Sequence, residues 1–281
     1  MTLSKQKTCS NTIAFAFLCL LAAIFLIPIL LVLLNSFKSR FYISSSPFAM
    51  PNSETFVGFE NYLNGLSSSG FFISFIRSVW VSIASVLVII VCTSMASWFI
   101  VRVKNKFTKA IYFLFAFSMI VPFQMVMYTM TFIVNRISFD NVFGIVFVYL
   151  GFGAGLSVFM FTGFVKAVPL EIEEAAEIDG CNPLQTFFLV VFPILKPTII
   201  TVSILNSMWV WNDYLLPYLI LGTDHKTVPV AIQLAMQGAY GSTDYGGFMA
   251  MLVLSVIPII AFYISSQKYI IKGVIAGAVK G

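Results

Sequence analysis

Charge is what this chain has least of: 10% of its 281 residues are Asp, Glu, Lys or Arg, against about 25% in soluble domains. So few charges cannot coat a water-facing surface of this size. With 59% hydrophobic residues, 30 of the residues being Phe, the deficit implies a polytopic membrane protein. Histidine is scarcer still. The one His, His225, lies in a polar stretch between apolar runs, so no Ser/His/Asp set can be assembled and a membrane-embedded hydrolase of that kind is excluded. The four cysteines, Cys9, Cys19, Cys92 and Cys181, have no paired spacing, which argues against a metal site or a disulfide framework. There is no G-x-x-x-x-G-K-[ST] phosphate loop, so if ATP drives this protein, the hydrolysing site is on another polypeptide. The net charge of +5 does not point to nucleic acid, because the basic residues are scattered at the ends of apolar runs.

A membrane crossing needs roughly 20 mainly apolar residues. Six segments qualify: about 11–34, 71–101, 110–134, 142–165, 198–221 and 246–269. The first exceeds a signal-peptide core and lacks a small-residue cleavage pattern, so it reads as a retained span. An even number of spans puts both termini on one side. Lys5, Lys7, Arg102, Lys104, Lys106, Lys109, Lys166, Lys196, Lys268, Lys272 and Lys280 fall on that side, against Lys38, Arg40, Arg77, Arg136 and Lys226 on the other. This bias places the termini, the 102–109 loop and the 166–197 loop in the cytoplasm. The two longer external loops, about 36–70 and 222–245, are too short for soluble domains with their own cores but long enough to touch an external partner. The chain thus reads as a single transmembrane domain, 1–281, with a cytoplasmic loop at 166–197 and a cytoplasmic tail at 270–281. It shows no internal repeat of the kind common in secondary transporters.

Five of the eleven acidic residues, Glu171, Glu173, Glu174, Glu177 and Asp179, sit within nine positions of the 166–197 loop. Pro169 suits the start of a helix, and the early glutamates favour its positive end. Gly180 suits a left-handed C-terminal residue, and Asn182-Pro183 offers a cap and a first-turn proline for a second helix. Pro193 and Pro197 then break the chain before the fifth span. The loop is therefore expected to hold two short helices joined at Gly180. On the first, Ile172, Ala175, Ala176 and, less centrally, Asp179 share a shallow face flanked by Glu174 and Glu177. A helix resting on lipid would instead be rich in Lys, Arg and large apolar residues, so this one reads as a docking surface for a protein.

Glu174-Ala175-Ala176, three residues, Gly180, nine residues, Val190, one residue, Phe192-Pro193 resembles the EAA motif of ABC-importer permeases, E-A-A-x3-G-x9-I-x-L-P. Val190 and Phe192 replace the usual Ile and Leu with other apolar residues. The segments PILLVLLNSFK at 28–38, FVGFENY at 56–62, VPFQMVM at 121–127, WNDYLLP at 211–217 and IKGVIAGAVKG at 271–281 are similar to the carbohydrate-uptake branch of that superfamily. Within it they fit permeases like the second membrane subunit of maltose-type importers. A departure is Gly155-Leu156-Ser157, where a proline is more usual.

This resemblance implies an all-α type I ABC-importer permease fold of six transmembrane helices with a cytoplasmic coupling helix. It also implies a bacterial cytoplasmic membrane location, and that Glu173, Glu174, Ala175, Ala176, Glu177, Asp179 and Gly180 form the ATPase-docking element. Glu174 would pair with a basic residue of the ATPase, and Gly180 would supply the bend. The tail, with Gly277, Lys280 and Gly281, would reach into the ATPase dimer. The implied partners are a second permease subunit, two copies of a cytosolic ABC ATPase carrying ATP and Mg, and an external or periplasmic solute-binding protein delivering a sugar. The chain itself would hold no cofactor or metal and catalyse no reaction.

Asp213 is the one acid inside an expected span, and an ionisable residue there normally faces a cavity or the bundle interior. At helical spacing Ser203, Asn206, Trp209, Asp213 and Pro217 share a side of the fifth helix. Polar groups beside an indole suit a sugar, whose hydroxyls bond while its C–H face stacks. Pathway candidates are therefore Asn206, Trp209 and Asp213, with Gln124 near Pro122 in the third span. The competing role for such residues is interhelical hydrogen bonding. Two other functions stay open at this point: an ABC permease for a non-sugar solute, and a secondary transporter driven by an ion gradient.

Overall fold

The computed structural model describes residues 2–68, 70–237 and 244–278. In chain order the helices are α1 (Thr2–Asn35), α2 (Arg40–Ser45), α3 (Glu60–Ser68), α4 (Phe71–Arg102), α5 (Lys106–Ser118), α6 (Phe123–Arg136), α7 (Gly144–Val165) and α8 (Leu170–Ile178). Beyond these come α9 (Pro183–Gln185), a π-helical turn Thr186–Val191, α10 (Phe192–Ile194), α11 (Lys196–Asn212), α12 (Leu215–Leu221), α13 (Val228–Gln237) and α14 (Tyr245–Ala278). Among the described residues the extended pairing is limited to a bridge between Lys38 and Phe56. Four helices, or six if each of two bent pairs counts as one, are long and apolar enough to cross a membrane.

Both bends lie at prolines: the first divides the expected third span, and the second falls ahead of the fifth span, at Pro197, where a break is expected. α5 and α6 meet at 109° around Pro122, which stands ahead of α6 in extended conformation. The Pro183–Ile194 segment meets α11 at 77°, with Leu195 at the corner and Pro197 just inside the next helix. Pro193, expected to break the chain, does not. It comes directly after the π-turn, whose wider winding accommodates the missing N–H and the ring. The expected span 198–221 is also interrupted at Asp213. Pro217 has no N–H for the carbonyl four residues back, that of Asp213, so the helix gives way there.

The contacts divide the chain into two compact units. In one, 1–71 with 231–258, the segment after α1 is knit by side chains. Lys38 is buried and its Nζ donates to the Ser46 carbonyl at 2.9 Å. Asn61 donates to the carbonyls of Ser36 and Lys38, both at 2.8 Å. Phe37 packs on Phe56, Phe59 and Tyr62.

The other unit, 72–230 with 259–281, holds two apolar clusters. Val86, Ile89 and Ile90 of α4 meet Phe161 and Val165 of α7, Phe187 and Val191 of the π-turn, Leu195 and Val202. Val81, Val134, Ile145, Tyr149, Val210, Leu216 and Ile220 form the second. α7 is the axis of both. Its Gly153 and Gly155 admit neighbours closely: a Cβ on Gly153 would sit 2.7 Å from Ile89 Cδ1, and one on Gly155 would sit 2.9 Å from the Phe115 carbonyl oxygen. The glycine-rich stretch 151–155 is thus used for helix–helix approach.

Candidate functional site

The acidic helix α8 is defined at both ends by its own residues. Pro169 precedes it in extended conformation, and Glu171 and Glu173 occupy its first turn. Its end is a Schellman motif: the Cys181 N–H donates to the Ala176 carbonyl and the Gly180 N–H to that of Glu177, each at 3.0 Å. Gly180 has φ +89°, a conformation costly for any side chain. Asn182 then caps the next helix reciprocally. Its side chain accepts from the Gln185 N–H at 3.0 Å, and Gln185 accepts from the Asn182 N–H at 2.9 Å.

The faces of α8 divide differently from the expected docking set. Ile172, Glu174, Ala175, Glu177, Asp179 and Gly180 are exposed, whereas Glu173 and Ala176 are buried. Glu173, one of the expected docking residues, faces inward, and its carboxylate is engaged within the chain. Its Oε1 accepts from Arg102 Nη2 at 2.6 Å and Nε at 3.0 Å, and its Oε2 accepts from Trp98 Nε1 at 2.8 Å. Arg102 Nη2 donates also to the Val168 carbonyl at 3.0 Å. Ala176, small enough to let α8 lie flat, is the second inward position. Arg102 and Trp98 were not among the sequence candidates. The available signal was their spacing of four at the end of a long apolar helix, which puts a donor pair on one face.

The break in the fifth span gathers a second group. Asp213 Oδ1 accepts from the Leu215 N–H at 3.1 Å, more weakly from Leu216 at 3.4 Å, and so caps α12. Its Oδ2 accepts from the hydroxyl of Tyr149 at 3.1 Å. The Tyr149 ring meets Trp209 edge to face with centroids 5.3 Å apart, and Trp209 is 40% exposed. Trp209 and Asp213 are thus brought together, with Tyr149 as a buried third member that sequence reasoning missed. Asn206 stands apart from this group. It is buried, and its amide donates to the Val202 carbonyl at 2.9 Å and to Ser157 Oγ at 3.2 Å, tying α11 to α7. Gln124 is exposed in the first turn of α6, beside Phe123, which packs on the Tyr149 cluster. Of the tail candidates, Gly277 falls in the last turn of α14, and Lys280 and Gly281 lie outside the described residues.

A family model described as "Binding-protein-dependent transport system inner membrane component" matches residues 89–276. The chain is 33% identical over 261 residues, 92% of this chain and 93% of its counterpart, to the probable starch degradation products transport system permease protein AmyC of Thermoanaerobacterium thermosulfurigenes. It is 35% identical over 260 residues, 91% and 92% of the two chains, to the multiple sugar-binding transport system permease protein MsmG of Streptococcus mutans. The fold is similar to that of a chain in the crystal structure of a bacterial ABC transporter involved in the import of the acidic polysaccharide alginate. The TM-score is 0.76 at 19% identity, covering 94% of this chain and 97% of that one.

Proposed function

Because the chain belongs to the family of binding-protein-dependent transport system inner membrane components, the permease subunits of ABC importers whose ATPase is a separate subunit, we propose that it is the permease of an oligosaccharide importer that docks its ATPase through α8. The observation that carries the docking is the outward acidic and alanine face of that helix, with Glu174, Ala175, Glu177 and Asp179 exposed on an element whose inner side is already bonded. Such a face presents carboxylates to a basic partner while its small side chains permit close approach. Relatives named for starch degradation products and for multiple sugars support the solute class.

In this reading the whole chain works as one permease domain beside a second, different permease subunit. Two ATPase subunits bind below and a solute-binding protein delivers sugar from outside. The Lys/Arg bias of the loops supports placing α8 and both termini in the cytoplasm. Closure of the ATPase pair on ATP carries each coupling helix with it and opens the pathway outward; hydrolysis resets it. Gly277, Lys280 and Gly281 would contact the ATPase pair. Trp209 and Asp213 are the pathway candidates, with Gln124 a third. The exposed indole offers a flat apolar face, and Tyr149 holds the neighbouring carboxylate in a fixed direction.

Two measurements test this. The chain, co-expressed with its partner permease and ATPase, is reconstituted with the solute-binding protein, and stimulated ATP hydrolysis is read across mono- and oligosaccharides. Stimulation by oligosaccharides is expected, and stimulation only by amino acids or inorganic ions would overturn the solute class. Asp213→Ala removes a helix cap worth about 1 kcal/mol and leaves the buried Tyr149 hydroxyl unpaired at about 1–3 kcal/mol more. The complex should survive that loss while the ranking of sugars in the same assay shifts. An unchanged ranking would leave Asp213 as a cap alone.

A further inference from the structure

We propose that α4 is the rod that carries the motion of the acidic helix across the membrane, and that Glu173 is the latch joining the two; this rests on the docking role assigned to α8. The alternative route runs along the chain to the fifth span. That path crosses Gly180 at φ +89° and then the 77° corner at Leu195, so it changes direction twice before it reaches α11. The route through Glu173 reaches α4 directly. Arg102 and Trp98 stand four residues apart at the end of α4, and together they donate three hydrogen bonds to one buried carboxylate, the shortest at 2.6 Å. Arg102 grips the backbone ahead of α8 as well, through the Val168 carbonyl. Charge-assisted, multidentate and largely removed from water, this joint fixes both distance and angle.

The Trp98 ring also leans on Phe187 of the π-turn, centroids 5.5 Å apart, so the latch is seated on the buried cluster around Ile89 and Phe161. From Arg102, α4 runs back through 32 residues without a proline, about 48 Å of unbroken helix. Its far end is fastened again. Arg77 Nη1 donates to the Lys226 carbonyl at 2.9 Å, and Ser78 Oγ accepts from the Val228 N–H at 2.8 Å. One helix thus holds the acidic helix at one end and the segment 226–228 at the other. A displacement of α8 is delivered to that segment as a rigid translation or tilt of α4. Glu174, one residue on, faces outward, so adjacent glutamates divide the work: one meets the partner and the other transmits.

The test uses the whole complex in proteoliposomes and reads sugar taken up per ATP hydrolysed, beside the amount of ATPase that co-purifies. Glu173→Gln keeps the shape of the side chain but removes the charge that holds Arg102 and turns one of the two accepting oxygens into a donor. It is expected to retain the ATPase and its hydrolysis while uptake per ATP falls about tenfold. Arg102→Lys keeps a positive partner for Glu173 but not the fork, should insert even if Glu173→Gln does not, and is expected to lose coupling in the same sense to a smaller degree. Wild-type uptake per ATP in the latch variants would overturn the proposal. Loss of ATPase co-purification would also overturn it, by returning Glu173 to the docking face. Failure of the unaltered complex to couple uptake to ATP would instead strike the functional reading on which the latch rests.

Discussion

Glu174→Lys is expected to strip the ATPase from the membrane complex while leaving the permease inserted and folded. Glu174 is exposed on α8, so the substitution breaks nothing inside the chain. A lysine at this position of a helix still has good propensity. The loss comes at the interface, where a carboxylate matched to a basic partner becomes a like charge pressed against it. Removing one member of a desolvated interfacial pair costs about 2–5 kcal/mol, and reversal adds repulsion. Each 1.4 kcal/mol is roughly tenfold in affinity, so co-purification with the ATPase should fall from near stoichiometric to background. Uptake should vanish with it, and normal uptake by this variant would sink the docking role.

The second large effect is expected inside the chain. Arg102→Ala leaves the Glu173 carboxylate buried at 5% side-chain exposure with the Trp98 indole as its remaining side-chain donor. An uncompensated buried charge costs about 3–5 kcal/mol. Glu173→Gln leaves Arg102 without its counter-ion in turn, but that side chain is 19% exposed against 5% for Glu173 and keeps the Val168 carbonyl, so the loss is smaller. The prediction is an ordering: Arg102→Ala should lower the thermal midpoint of the detergent-solubilised protein well beyond Glu173→Gln, and Glu173→Gln in the Arg102→Ala background should restore part of it. If the two single variants are equally mild, the pair is open to solvent and is not a joint. The comparison separates stability from coupling, because the neutral variant is expected to fold and still transport poorly.

Local chemistry made the acidic loop readable in advance. Pro169, Gly180 and Asn182 each determine a backbone conformation by their own side chain or lack of one. The structure ends α8 in a left-handed glycine and restarts the chain at an asparagine cap, where those residues stand. Long apolar runs likewise marked the ends of α4 and α7 to within about two residues. Features decided by distant partners were not legible in the same way. Helical spacing grouped Ile172, Ala175 and Ala176 but could not say which side of α8 faces inward, since the donors that turn Glu173 inward are 71 and 75 residues away. Asn206 and Trp209 lie one turn apart on α11, yet the first is spent on Ser157 and the second remains exposed beside Tyr149. What each proline does likewise depends on its neighbours. Pro217 and Pro193 both lack an N–H, but Asp213 caps a new helix start ahead of the first, whereas a π-turn absorbs the second.

The most direct measurement is uptake of a labelled oligosaccharide into proteoliposomes holding the full complex and its solute-binding protein. It compares ATP, a non-hydrolysable ATP analogue, and an uncoupler added in the presence of ATP. Uptake that requires hydrolysable ATP, ignores the uncoupler and disappears with Glu174→Lys is the result predicted for a permease driven through α8. Uptake that continues without ATP and collapses with the uncoupler would contradict it.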